Sequence, residues 1–203
     1  YISTVEDLAV VKRVIVENVA PGGVAVLNAA DPIVVKMAEA CPGSVTFFTG
    51  DLHHPVMATH HARGQRVVYV DENAIVAAEG SFEHRIALAQ IPLTRNGDIG
   101  FQVENAMAAI AAGWALSPDW EIIRAGLASF VSDAATVPGR FNLFDYRGAT
   151  LIANYGHNPD AIQALVKAVE PMPAKRRVVV ISGAGDRRNE DISQQTRILG
   201  EAF

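Results

Sequence analysis

Hydrophobic and polar positions follow two rhythms along this chain. From Val5 to Val19 the apolar residues recur at helical spacing, behind the capping-box pattern Ser3-Thr4-Val5-Glu6. After the turn Pro21-Gly22-Gly23, the short apolar run Val24 to Leu27 predicts a buried strand. Asn28-Ala29-Ala30-Asp31-Pro32 closes that strand and opens a second helix to about Ala40, with Asp31 as N-cap and Pro32 at the first helical position. Val45 to Thr49 reads as another strand. Two β-α steps with short connections indicate an α/β layer structure with some parallel strands.

Between Gly50 and Pro92 the rhythm shortens. Arg66 to Val70, Ala74 to Ala78 and Arg85 to Ala89 predict short antiparallel strands, a β-meander attached to the α/β core. His53, His54, His60 and His61 fall in this stretch as H-H-x5-H-H, which is not a helical metal-ligand pair and has no cysteine beside it. A structural or exposed role is expected for them rather than a metal site. The stretch Gly97 to Asn105 opens an alanine-rich helix to about Leu116, whose Ala106, Ala108, Ala109, Ala111, Ala112 and Gly113 permit close packing on a sheet. Asn105 is a poor interior helix residue unless its side chain has a partner, either in a satisfied buried amide or on a ligand. Trp120 to about Phe130 predicts one more helix, and Val131 to Val137, polar and small, an inter-domain linker.

Candidate chemistry lies beyond that linker. Pro138-Gly139-Arg140-Phe141 fixes an arginine in a turn at a domain junction. A guanidinium offers a planar fork of donors for phosphate, and domain junctions concentrate ligand sites; a plain surface arginine fits the same turn. Phe141 to Tyr146 and Thr150 to Ala153 predict a hairpin around Arg147-Gly148. Thr150 to Ala153 is apolar enough for a buried strand, Tyr155-Gly156-His157 breaks it, and Gly156 is free to take angles that other residues avoid. Asn158-Pro159 reads as N-cap and first helical residue, followed by Ile162, Leu165, Val166 and Val169 at helical spacing. His157 and Asn158 are thereby displayed at a helix N-terminus, where orphan N–H groups suit an anion or a nucleotide. Arg177 to Ser182 predicts an apolar strand, and Gly183-Ala184-Gly185-Asp186-Arg187-Arg188 leads into a helix beginning near Asp191. That Gly-x-Gly lacks the third glycine of a dinucleotide fingerprint, which favours a substrate-positioning or tight loop over NAD binding.

Composition narrows the class. The 203 residues are 50% hydrophobic and 19% charged, ordinary for a globular chain with room for one large domain or two small ones. A net charge of −5 argues against a general nucleic-acid or anionic-membrane binder, which needs clustered Lys and Arg. The one basic run, Lys175-Arg176-Arg177, reads as the solvated start of a strand. No apolar run reaches membrane-spanning length, and nothing at the start resembles a signal peptide. Cys41 is alone, so a reducing cytoplasm is expected, without a disulfide framework or a cysteine metal site. With no initiating methionine and an end inside a helical pattern, the chain reads as a piece of a larger protein.

Four stretches together resemble the Mur ligase superfamily: Leu27-Asn28-Ala29-Ala30-Asp31-Pro32, the Asn105 helix, Pro138-Gly139-Arg140-Phe141-Asn142, and Tyr155-Gly156-His157-Asn158-Pro159-Asp160-Ala161. The resemblance covers essentially the whole chain. It implies an α/β fold in which residues 1–135 form the second half of a central ATPase domain, a mixed sheet with helices plus a small β-meander. Residues 136–203 would begin a Rossmann-like C-terminal domain. The implied activity is ATP-dependent ligation of an amino acid through an acyl phosphate, with ATP and Mg2+ as cofactors. Further runs, among them Val5-Glu6-Asp7-Leu8-Ala9-Val10-Val11-Lys12 and Gly100-Phe101-Gln102-Val103-Glu104-Asn105, are similar to the cyanophycin-making branch. That branch implies L-arginine and a polyaspartate primer as partners, in a homo-oligomeric parent. By the same resemblance Asn105 contacts adenine, and Arg140 binds the ATP phosphates and serves catalysis. Asn154 faces the ribose, and His157 and Asn158 line the nucleotide side of the cleft. Asp186 and Arg187 shape the site of the incoming amino acid. Two departures stand out, for the superfamily usually places Asp where this chain has Asn154 and Ala30. No G-x-x-G-K-[ST] phosphate loop occurs in the chain, and no magnesium ligand is expected within it. A peptidoglycan-type or folylpolyglutamate-type ligase and a noncatalytic nucleotide-binding module remain as alternatives.

Overall fold

The computed structural model describes residues 4–117, 119–182 and 188–203. The chain divides into two compact units, Tyr1–Gly97 with Gln102–Phe130, and Asp98–Phe101 with Val131–Phe203.

The first unit is built on a five-stranded mixed sheet in the order β1 (Val24–Asn28), β2 (Ser44–Phe48), β3 (Val67–Asp71), β4 (Ala74–Glu79), β5 (Phe82–Ala87). β1, β2 and β3 run parallel; β3, β4 and β5 form the antiparallel meander. Successive side chains of a strand point to opposite faces, and both faces here are apolar. On one face Val68, Ile75, Ala77 and Ile86 pack with Met107, Ile110 and Trp114 of α4 (Gly100–Leu116) and with Trp120 and Ile123 of α5 (Trp120–Ser129). On the other, Ala25, Leu27, Phe47, Val67, Tyr69 and Val76 pack with Val16, Met37 and Met57. Those three come from α1 (Val5–Glu17), α2 (Pro32–Met37) and α3 (Pro55–Ala62). Each fully buried aliphatic side chain in such layers contributes roughly 1.5–3 kcal/mol.

Local signals set the helix starts. The Asp31 carboxylate accepts the Ile33 and Val34 N–H groups at 2.8 and 3.3 Å, as an N-cap should. The capping box of α1 lies one residue later than its expected position. Thr4 Oγ1 accepts the Asp7 N–H at 3.0 Å, while the Asp7 carboxylate accepts the Thr4 N–H at 3.1 Å. α3 was not foreseen, because beyond Val56 and the fully buried Met57 its residues show no helical stripe. β5 starts three residues before the expected Arg85, and Leu88–Gln90 is a short 3-10 turn instead of strand. Its exposed Glu83 and Arg85 disguise it in the sequence and suit a sheet edge, where charge discourages further pairing.

The second unit holds the hairpin β6 (Asn142–Tyr146) and β7 (Ala149–Ala153), and the helices α6 (Pro159–Val169) and α7 (Asn189–Ala202). Ile99, Phe141, Ala168 and Val169 form its small core. The two-residue turn Arg147-Gly148 has φ of +52° and +80°, the left-handed pair that matches strand twist in a tight hairpin. Two expectations fail in this unit. Thr150 to Ala153 is not a buried strand: a two-stranded hairpin covers one face only, so Ile152 packs inward while Leu151 stays exposed. Residues 177–182 join no sheet among the described residues, and Val180 is 94% exposed; an apolar run makes a strand only where an edge receives it. Within residues 131–137 the Asp133 carboxylate accepts the Ala135 and Thr136 N–H groups and the Thr136 hydroxyl. The Thr136 hydroxyl is the main reason that this carboxyl ionises below its usual range.

Of the basic run, Arg177 has a structural role: its Nη2 donates to the Glu170 and Met172 carbonyls at 2.9 and 2.7 Å, capping the end of α6. Among the described residues no helix is long and apolar enough to cross a membrane.

Gly43 tests how close the backbone approaches are. A Cβ there would lie 2.4 Å from the Gly23 carbonyl oxygen and 2.7 Å from that of Ala20, whereas a Cβ at Gly22 meets nothing within 4 Å. Gly43→Ala is expected to lower stability by about 1–3 kcal/mol in urea unfolding, and Gly22→Ala to leave it within about 0.5 kcal/mol.

Candidate functional site

The arrangement begins with a buried amide. Asn142, 1% exposed, opens β6, but its side chain turns back into the loop before it. Its Oδ1 accepts the Gly139 N–H at 2.6 Å and its Nδ2 donates to the Val137 carbonyl at 3.1 Å. The Arg140 N–H also reaches the Val137 carbonyl, at 3.3 Å, and the Ser132 hydroxyl donates to the Arg140 carbonyl at 3.0 Å. Phe141 adopts φ +56°, an unfavourable angle for a bulky side chain, which turns its ring into the core edge-on to Phe101. Arg140, its neighbour, is exposed.

One hydrogen bond joins this loop to the turn before α6: the Tyr155 N–H donates to the Gly139 carbonyl at 2.7 Å. The Arg140 guanidinium carbon lies 5.7 Å from the centroid of the Tyr155 ring, a cation–π distance, and the rings of Tyr155 and His157 are 5.2 Å apart. Asn158 caps α6, its Oδ1 accepting the Ala161 N–H at 2.7 Å. That bond uses the carboxamide oxygen and leaves its NH2 as a donor. The buried Gln195 of α7 donates to the His157 carbonyl at 3.4 Å. Gly156 has no positive φ, contrary to expectation; its surroundings are close, and a Cβ there would lie 3.0 Å from Ile162 Cδ1 and 3.2 Å from Asn154 Nδ2.

Arg140, Asn154, His157 and Asn158 thus occupy two loops of one unit, tied by a backbone bond. A cation, an imidazole and a capped helix N-terminus side by side fit a phosphate-bearing ligand. Asn105 belongs to the first unit. It is exposed rather than the buried amide considered above, and its Nδ2 donates to Gln102 Oε1 at 2.9 Å, so it has a local partner one turn back. Asp186 and Arg187 lie outside the described residues. Sequence reading missed Asn142 as a brace and Tyr155 as the ring beneath Arg140. An amide directly after Pro-Gly-Arg-Phe and an aromatic directly before the turn glycine were the available signals.

Two of the histidines outside the candidate site, His60 and His84, take structural positions. His60 Nε2 lies 2.9 Å from the Val45 carbonyl, with its ring edge-on to Phe47. His84 stacks on Trp120 with centroids 4.0 Å apart. Among the described residues no group of three or more His, Cys, Asp or Glu side chains is arranged to hold a metal ion.

The family described as Mur ligase, glutamate ligase domain, matches residues 139–203. Over all 203 residues the chain is 35% identical to the cyanophycin synthetase of Nostoc sp. (strain PCC 7120), of which it covers 22%. It is 36% identical to that of Synechocystis sp. (strain PCC 6803), of which it covers 23%. Residues 139–203 thus match the glutamate ligase domain of Mur ligases, and the whole chain is similar to members of that superfamily. Over 96% of its length the chain is also 30% identical to the UDP-N-acetylmuramoyl-L-alanyl-D-glutamate--2,6-diaminopimelate ligase of Bradyrhizobium diazoefficiens, 37% of which it covers. A solved structure of a ligase of that name shares the fold, with a TM-score of 0.55 and 17% identity over 100% of this chain and 39% of its own. The chain therefore spans less than a quarter of the cyanophycin synthetases that it matches.

Burial, more than the Arg63 charge, holds the His60 pKa below its ordinary 6.5, against the Val45 hydrogen bond. His84 is lowered as well, by burial and then by Arg124. The unfolded chain therefore takes up protons before the folded one as pH falls, so stability is full above about pH 6.5 and declines below it. Urea midpoints are expected to drop between about pH 7.5 and pH 5.5, with a shallower drop in His60→Gln.

Proposed function

We propose that this chain is part of an ATP-dependent acid–amino-acid ligase and that Arg140, Asn154, His157 and Asn158 form the nucleotide side of its active site. The observation that carries the reading is the Arg140 guanidinium, set above Tyr155 by a braced loop that is bonded to the turn before α6. Residues 1–135 are assigned to the second half of a central ATPase domain and 136–203 to the start of a Rossmann-like C-terminal domain. The reaction is the attack of a substrate carboxylate on the γ-phosphorus of ATP, which gives an acyl phosphate and ADP. The amine of an amino acid then attacks the acyl carbon, phosphate leaves, and the nitrogen gives up a proton to form the amide. Arg140 opposes the charge that develops on the transferring phosphoryl oxygens, the principal demand of such transfer. Asn105 is assigned to the adenine, Asn154 to the ribose, and Asp186 and Arg187 to the incoming amino acid.

Likeness to cyanophycin synthetases across the whole chain supports L-arginine as the amino acid and a polyaspartate primer as the acceptor, in a homo-oligomeric cytoplasmic parent. Mg2+ is proposed as second cofactor, with its ligands outside the described residues, which offer no cluster for it. A second reading, nucleotide binding without turnover, is favoured by the uncharged Asn154 and Ala30 where the superfamily usually has Asp.

Phosphate release by the full-length protein, with ATP, magnesium and primer, tests both readings. Release that requires arginine is expected, and Arg140→Ala should lower kcat on the order of 100-fold. Release with another amino acid moves the substrate within the ligase class, and ATP binding without release establishes the noncatalytic reading. The 203-residue chain alone, which lacks a phosphate loop, is expected to show no turnover.

A further inference from the structure

Asn142 is buried more completely than a strand's first residue requires, and burying an amide is costly unless both ends are satisfied. Its backbone lies opposite Ala153 at the end of the β6–β7 ladder, where an apolar β-branched residue would serve as well. The side chain contributes something other than sheet. It spans the loop from Gly139 to Val137, one bond to each, and so closes a ring of backbone around Arg140. Three further bonds finish that ring: Arg140 N–H to Val137 O, Ser132 hydroxyl to Arg140 O, and Tyr155 N–H to Gly139 O.

The conformation held this way is an unfavourable one. Phe141 at φ +56° and Gly139 at φ +73° reverse the chain twice within three residues. The first reversal sends the Phe141 ring into the core, and Arg140 is left on the exposed side, over Tyr155. Without the Asn142 side chain only the longer Arg140 N–H to Val137 bond, at 3.3 Å, still crosses the loop, and Phe141 can relax toward negative φ and rotate the Arg140 peptide. An aspartate could not replace the amide, having no donor for the Val137 carbonyl and bringing a charge into an apolar setting.

We propose that Asn142 is a positioning residue for Arg140, fixing through its paired bonds to Val137 and Gly139 the place from which the guanidinium meets a phosphate. The proposal rests on the reading of Arg140 as the phosphate-binding cation. It assigns no contact with substrate to Asn142 itself; the residue acts through the loop.

A double-mutant cycle in the full-length ligase tests it. Asn142→Ala should lower kcat about 10- to 100-fold, the scale of loss for a displaced catalytic group, with a smaller change in KM for ATP. In an Arg140→Ala background the same change should cost less than about 2-fold, because the group being positioned is already gone. Asn142→Ser, a milder variant that keeps a hydroxyl in the loop, should show the same non-additivity if Asn142→Ala fails to fold. Additive losses would overturn the proposal and leave Asn142 a residue of general stability. An effect of Arg140→Ala with none of Asn142→Ala would overturn the positioning role alone. Silence of Arg140→Ala would instead remove the phosphate reading on which it rests. Independently of turnover, amide exchange in the 203-residue chain should speed up about 10-fold or more at Arg140 and Tyr155 in Asn142→Ala, with Ile162 unchanged. Unaltered exchange at both would sink the brace.

Discussion

Strands β3 and β4 are apolar on both faces, and the architecture of the first unit follows from that. Val67, Val68, Ile75, Val76 and Ala78 are all 0% exposed, so neither face of these strands can be left to water. Each face needs its own cover: α1, α2 and α3 pack on one and α4 and α5 on the other. Backbone groups shut away from solvent must also be paired, which is why β3 and β4 sit inside the sheet with a partner on either side. β5, at the rim, carries exposed charge in Glu83 and Arg85.

The second unit is ordered on another principle. Its core is small, and its two candidate loops are fixed by directional bonds rather than by apolar mass: Asn142 in the Arg140 loop, the Asn158 cap on α6, and Gln195 on the His157 carbonyl. Hydrogen bonds hold angles more tightly than apolar contacts do, and phosphate recognition depends on angles. A site of this kind needs a stiff frame more than a deep pocket.

What could be read in advance follows the range of the forces involved. Caps and turns are short-range devices, so Asp31, Asn158 with Pro159, and the Arg147-Gly148 hairpin appear in the sequence much as they do in space. Both strands of the hairpin and the alanine-rich helix were legible for the same reason. α3 was not, because Val56, Met57 and the His60 contact with Val45 and Phe47 anchor it without forming an apolar stripe. Nor was the fate of 177–182, since whether an apolar run becomes a strand depends on a distant edge. Within the site, Arg140, His157 and Asn158 stood out by residue type. Asn142 and Tyr155 did not, because their roles depend on bonds made only after the loop and the turn have met.

The exposed apolar run that follows α6 has a practical consequence. Proteases cut exposed segments that lie outside helices and strands, and Val178, Val180 and Ile181 form such a segment. Cleavage there would divide the second unit between α6 and α7, yet the two helices pack on each other and Gln195 bonds back to His157. The nicked halves would stay associated until denatured, so a gel would show two fragments where size exclusion still shows one particle.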